Sequence, residues 1–267
     1  MLREPAVAHQ FYPGDPAVLR HTLDQLVPVV AEKQPAIALI APHAGYVYSG
    51  GVAGETFASV TIPSDIVLMG PNHHGYGAPI SLMTHGGWRM PMGNVPINNT
   101  LAGLLLKRSR LIEEDTLAHR FEHSLEVEVP FLQHLQPSLT ITPLVISHLS
   151  YSSCQEVGEA IAAAIEEYGR PVLIVASSDM SHYESRESAS AKDSLAMERV
   201  LAMDPEGLYR TVMDRRITMC GIMPATIAMV AAIRLGAKQA RLVRYTDSGE
   251  VSGDTRQVVG YAGMAIS

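Results

Sequence analysis

Short apolar runs punctuate the chain, with amphipathic stretches between them. Ala36-Ile37-Ala38-Leu39-Ile40, Ile66-Val67-Leu68-Met69 and Val172-Leu173-Ile174-Val175 are continuous rather than alternating. A continuous run bounded by turn residues is the pattern of a strand covered on both faces. Strands are predicted over 36–41, 66–70, 139–146, 171–177, 239–245 and 256–266, with a strand-like run at Ile80-Ser81-Leu82-Met83. Apolar residues at helical spacing predict helices over 16–31, 52–58, 98–108, 153–168, 188–202, 204–214 and 222–235. Asp15 with Pro16, and Asp204 with Pro205, supply the cap and first residue of two of these. Residues 123–135 also carry a helical pattern, in which Pro130 either kinks the helix or divides it. Residues 75–98, rich in Gly and Pro, read as a hairpin or excursion. Strand and helix alternate, which predicts an α/β fold, a three-layer αβα single domain over 1–267. The late pair of strands predicts a central mixed sheet.

Composition narrows the function classes. Net charge is −7, from 20 basic and 27 acidic residues, and there is no Lys/Arg block. That balance excludes the usual electrostatic footprint for nucleic acid or an anionic membrane surface. No apolar run approaches the roughly 20 residues of a membrane span. The first residues, Met1-Leu2-Arg3-Glu4-Pro5, lack the apolar core of a secretory signal. Two cysteines, Cys154 and Cys220, give no disulfide framework, so a reducing cytoplasm is the expected compartment.

Three polar clusters follow three of the apolar runs. They are Pro42-His43-Ala44-Gly45, Pro71-Asn72-His73-His74-Gly75 and Ser177-Ser178-Asp179-Met180-Ser181-His182. Ligands of open α/β sheets bind at the carboxyl ends of strands, and each of these clusters brings a histidine there. Adjacent residues of extended chain point to opposite sides, so His73 is assigned to the site and His74 to loop support. Asp179 and His182 would share one side if their loop began a helical turn, as an acid/base pair or a carboxylate fixing a tautomer. A helix cap at Ser178 or Asp179 accounts for the same residues. Cys220 precedes Gly221 and the helix over 222–235, where the local positive potential favours thiolate, a metal ligand and nucleophile. Burial as an inert thiol, the common fate of free cysteine, explains its position equally well, and fits Cys154 better. His123 and Glu126 would share a helix face as a ligating or supporting pair, though capping by Ser124 explains them too. The other six histidines have no such context.

Taken in order, Ala41-Pro42-His43-Ala44-Gly45-Tyr46-Val47-Tyr48-Ser49-Gly50, Gly70-Pro71-Asn72-His73-His74, Glu122-His123-Ser124-Leu125-Glu126, Ser177-Ser178-Asp179-Met180-Ser181-His182 and Thr218-Met219-Cys220-Gly221 resemble the Memo family, called AmmeMemoRadiSam system protein B in prokaryotes. The resemblance spans essentially the whole chain. It implies a fold related to class III extradiol dioxygenases, which are non-haem iron(II) enzymes. It also implies that His43, His73 and Cys220 are metal ligands, with Asp179, His182 and His123 as nearby catalytic residues. Extradiol dioxygenases use two histidines and a carboxylate. A thiolate in the third place is softer, suits copper(I) or zinc as well as iron(II), and is itself oxidisable.

Three functions follow as expectations. The first is a non-haem iron(II) oxidoreductase acting on a small-molecule substrate, with His182 moving protons, Asp179 orienting it, and Tyr46 or Tyr48 touching the substrate. The second is a metal- or peptide-binding module, acting in a complex with the AMMECR-type and radical-SAM proteins that the family name implies. The third is a hydrolase with Cys220 as nucleophile and His182 as base, for which no nucleophile elbow is evident.

Overall fold

The computed structural model describes residues 1–267. Its strands are β1 (Leu2–Arg3), β2 (Ala38–Ala41), β3 (Asp65–Pro71), β4 (Ile80–Leu82), β5 (Gly87–Trp88), β6 (Val95–Pro96), β7 (Glu113–Glu114), β8 (Thr140–Ile146), β9 (Val172–Ser177), β10 (His182–Glu184), β11 (Ala240–Asp247) and β12 (Val258–Ile266). Its helices are α1 (Pro16–Leu26), α2 (Tyr46–Ala58), α3 (Asn99–Arg108), α4 (Val129–Leu135), α5 (Tyr151–Tyr168), α6 (Arg186–Leu201), α7 (Pro205–Asp214), α8 (Ile222–Arg234) and α9 (Gly249–Ser252).

The central sheet runs β10-β12-β2-β9-β3-β8-β4-β7, and β11 also pairs with β12. Its middle, β2-β9-β3-β8, is parallel, while β12 joins β2 and β4 joins β8 in antiparallel register. The sheet is therefore mixed. β5 and β6, from the excursion that precedes α3, make a separate small sheet with the N-terminal β1.

The continuous apolar runs are explained by two cores. Along β3, Ile66 and Leu68 face one layer while Val67 and Met69 face the other. Leu39 and Ala41 of β2, and Leu173 and Val175 of β9, join Ile66 against α1, α2 and α4. Ile40, Ile174 and Ala176 join Val67 against α3, α5, α6, α7 and α8. Side chains of a strand alternate faces, so a strand covered by helices on both sides must be apolar at every position.

Local differences from the sequence pattern have identifiable causes. α1 stops at Leu26 rather than reaching 31, because Pro28 disfavours helical backbone at Val27, which is extended. α2 begins at Tyr46, well before 52, and incorporates Gly50, Gly51 and Gly54. The cost of glycine in a helix is offset there by close packing: a Cβ on Gly54 would lie 2.0 Å from Leu26 O. Pro130 divides its segment. A 3₁₀ turn over Glu126–Glu128 leads into α4, with the proline in the first turn of the helix, where its missing N–H costs nothing.

Candidate metal centre

β2, β9 and β3 are neighbours and parallel, so their carboxyl ends lie side by side. His43, Asp179 and His73 are each the second residue past one of those ends, beyond Ala41, Ser177 and Pro71. The loop before the 3₁₀ turn adds His123. One ligating atom from each of His43, His73 and His123 lies within 4.8 Å of the other two. The His73 and His123 rings stack with centroids 4.5 Å apart, and His43 meets both edge-on at 5.3 and 5.5 Å. His43 is buried and His73 is exposed, so the cluster opens outward on one side.

Each ring is held from behind. Asp179 Oδ1 accepts from the backbone N–H of His43 at 2.8 Å, and His43 Nδ1 lies 2.8 Å from Ser177 Oγ. Glu122 grips His73 twice: Oε2 accepts from its backbone N–H at 2.7 Å, and Oε1 lies 2.8 Å from its Nδ1. Both Nδ1 positions are thus engaged, which leaves Nε2 of each ring as the free donor. The Phe11 ring packs on His123 at 4.9 Å.

The electrostatics keep His43 and His123 neutral. Burial pushes His43 well below the ordinary histidine range, and its neighbours His123 and His73 push it further. Burial likewise lowers His123, to about 4. Burial would raise Glu122, but the hydrogen bonds from His73 and from Ser124 N–H outweigh it and hold that carboxyl well below the usual range. A neutral imidazole with a carboxylate on Nδ1 is the form that binds a metal ion. The donor set therefore fits a cation.

Other expected contacts are not formed. Residues 182–184 make β10 against β12 rather than a helical turn, so Asp179 and His182 are not hydrogen-bonded to each other. Asp179 holds the His43 turn instead, while His182 Nδ1 lies 2.9 Å from Thr218 O. Burial raises the Asp179 carboxyl to about 6. Cys220 does reach the site, directly ahead of α8. Gly221 makes this approach possible, since a Cβ there would lie 2.3 Å from Ser177 O. Cys220 Sγ is outside the group of three imidazoles but lies 3.4 Å from His43 Nε2, and it accepts from Asp179 N–H at 3.2 Å. Its thiol is pushed up, by burial first and by the Asp179 carboxylate second, so the helix end does not release a thiolate in the metal-free protein. The imidazole that Cys220 touches is His43 rather than His182, which removes the geometric basis of the hydrolase reading. Burial drives the Cys154 thiol up to about 12, against Met223.

Tyr46 is buried and donates to Val127 O, whereas Tyr48 is exposed. His74 turns to Phe121 O. Glu126 serves the N-terminal segment and not His123: it accepts from Arg3, Tyr12 and the backbone N–H groups of Ala6 and Val7. Sequence reasoning passed over Glu122, Ser177 and Phe11 as supports of the site. Glu122 carried a usable signal, a carboxylate beside a histidine in a segment already singled out. Ser177 and Phe11 act only through tertiary contact.

Fold and site together define an α/β protein with a histidine cluster suited to a cation at the carboxyl ends of its parallel strands. The profile of Memo-like proteins matches residues 3–265. A MEMO1 family protein of Aquifex aeolicus is 40% identical over 265 residues, covering 98% of each chain. Another, of Methanothermobacter thermautotrophicus, is 39% identical over 277 residues, covering 99% of this chain and 100% of its own. An uncharacterized Escherichia coli K12 protein of known crystal structure shares the fold, with a TM-score of 0.55 at 13% identity over 85% of this chain and 98% of its own. The chain belongs to the Memo family.

Proposed function

We propose that the strand-end cluster is a mononuclear metal centre built on His43 and His73, flanked by His123 and Cys220 as further donors. We further propose that it works with iron(II), as an oxidoreductase on a small-molecule substrate. The observation that carries this reading is the convergence of three imidazoles, two with Nδ1 engaged. Zinc-type bond lengths of about 2.3 Å to sulfur and 2.0–2.1 Å to nitrogen put two tetrahedral donors roughly 3.5 Å apart. The 3.4 Å between Cys220 Sγ and His43 Nε2 is compatible with both on one ion. Bound iron(II) would supply redox chemistry and an open position. The chain's own residues orient and shield. Glu122 and Ser177 aim the rings, Asp179 holds the His43 turn, and His182, partly exposed at the rim with Nδ1 engaged, offers Nε2 to a proton of the substrate. Copper(I) or zinc would use the same donors.

A second reading is favoured by the rim. Tyr48, Tyr76, Phe121 and Tyr183 are exposed, and each lies within three residues of a site residue or, for Tyr48, within α2 just after the His43 turn. Exposed rings around a site suit a peptide or protein partner, such as the AMMECR-type and radical-SAM proteins.

Cobalt(II) substitution tests the centre. A sulfur-to-cobalt charge-transfer band that disappears in Cys220→Ala while cobalt stays bound supports the thiol as a donor. A spectrum unchanged in Cys220→Ala but altered in His123→Ala leaves a three-histidine centre. Failure of wild type to bind cobalt, zinc or iron would remove the proposal and leave the partner-binding reading.

A further inference from the structure

Behind His43 lies a buried hydrogen-bond hub. Ser177 Oγ has three close neighbours: Ser124 O at 2.7 Å, Glu128 Oε1 at 2.7 Å and His43 Nδ1 at 2.8 Å. Ser177, Ser124 and Glu128 are all fully buried, and His43 nearly so. A hydroxyl has one hydrogen to give and two lone pairs with which to accept. The Ser124 carbonyl can only accept, so it takes that hydrogen. The two remaining contacts are bonding only if both are donated to Ser177, by an N–H at His43 Nδ1 and by an O–H at Glu128. An ionised Glu128 would instead compete with the carbonyl for a single hydrogen, and one oxygen would face Ser177 unbonded at 2.7 Å. Glu128 also has no salt-bridge partner, and its second oxygen, Oε2, has no hydrogen-bond partner at all. An unpaired carbonyl oxygen of a neutral acid is far cheaper to bury than half of an uncompensated carboxylate. Burial pushes this carboxyl well above its ordinary range, in agreement with the count.

We infer that Glu128 is a positioning residue: a neutral carboxylic acid that donates to Ser177 and so fixes His43 as the Nδ1–H tautomer, with Nε2 presented to the site. The inference deepens the metal-centre reading and rests on it for its purpose, but not for its test. With Glu128 donating, the Ser177 hydroxyl is locked toward Ser124 O. Without that donor the hydroxyl is free to turn and donate to His43 Nδ1, which would place the ring hydrogen on Nε2 and block it as a ligand.

The spectroscopic measurements use the metal-free protein, so their failure is separable from failure of the metal centre. Nitrogen-15 NMR of the His43 ring is expected to show a protonated Nδ1 and a bare Nε2 in wild type. Infrared spectra are expected to show a protonated-carboxyl carbonyl band that is lost in Glu128→Gln. Because an amide N–H also donates to Ser177, Glu128→Gln should keep both the tautomer and zinc affinity. Glu128→Leu should mix the tautomers and weaken zinc binding about tenfold, at the lower end of the 10–100-fold range for ligand-supporting residues. Ser177→Ala should also mix the tautomers, and it stands in for the leucine variant if that protein does not fold. A wild-type His43 protonated at Nε2, or a wild type without the protonated-carboxyl band, would overturn the inference. So would a Glu128→Gln variant as impaired in zinc binding as Glu128→Leu, since that outcome means the carboxylate charge is what matters.

Discussion

Two glutamates two residues apart in one 3₁₀ turn have opposite surroundings. Glu126 and Glu128 are both fully buried. Glu126 faces Arg3 at 2.7 Å and collects three further hydrogen bonds, from Tyr12 and from the Ala6 and Val7 N–H groups. Glu128 has one partner, the Ser177 hydroxyl, and no cation. A carboxylate surrounded by donors ties the N-terminal segment to the body of the fold. A neutral carboxylic acid with a single neutral neighbour adds little to stability in that way, and its value lies in what it does to His43 through Ser177. The number and charge of a buried group's partners therefore separate a residue that holds the chain from one that tunes a site.

The largest expected effect falls on the first of the pair. Glu126→Ala leaves Arg3 buried without its counterion and should cost about 3–5 kcal/mol, read as a lower urea midpoint. Glu122, a third buried carboxylate of the same segment, combines both roles. Glu122→Gln should weaken zinc binding about 10–100-fold by titration calorimetry, because the bond to His73 Nδ1 loses its charge. An affinity unchanged by that substitution would make Glu122 a loop support only. Next comes pH. His119 is buried and pushed down to about 4, by burial first and then by Arg3, the partner of Glu126. The unfolded chain binds this proton near pH 6.5, so the stability from a neutral His119 is complete above that value and is lost as pH falls toward about 4. Between pH 7 and pH 5 the loss should be about 2 kcal/mol from this group. Unfolding free energies measured across that range would show the decline, to which His43 and His123 add in the same direction, and His119→Phe should make it shallower by its own share of about 2 kcal/mol. The smallest effect is expected at the other member of the pair. Glu128→Gln replaces one neutral donor by another and should shift stability by less than about 1 kcal/mol. A loss as large as that of Glu126→Ala would erase the contrast.

Much of this was legible in the sequence because its physical cause is local. The apolar runs at 36–40, 66–69 and 172–175 could only be strands with helices on both faces, and the turns after them carried His43, His73 and Asp179. Which of these side chains meet was not legible. Asp179 turns to His43 because β9 lies between β2 and β3, and strand order is not written in any one segment. Local periodicity joined His123 to Glu126, yet the chain there is not regular helix, so it is Glu122 and His73 that meet. The pairing of Asp179 with His182 assumed a helical turn where β10 runs instead. Cys220 was placed beside His43 by a resemblance rather than by its own context. Its approach depends on Gly221 lying against Ser177 and Ser178, a contact across more than forty residues.

Anaerobic iron(II) loading of wild type and His43→Ala, with metal content measured per chain after removal of free iron, tests the central claim most directly. The account requires about one iron per wild-type chain and a loss of it in the variant, with the fold intact by circular dichroism. Wild type without iron above background, or a variant that retains it in full, would contradict a metal centre at the ends of β2, β9 and β3.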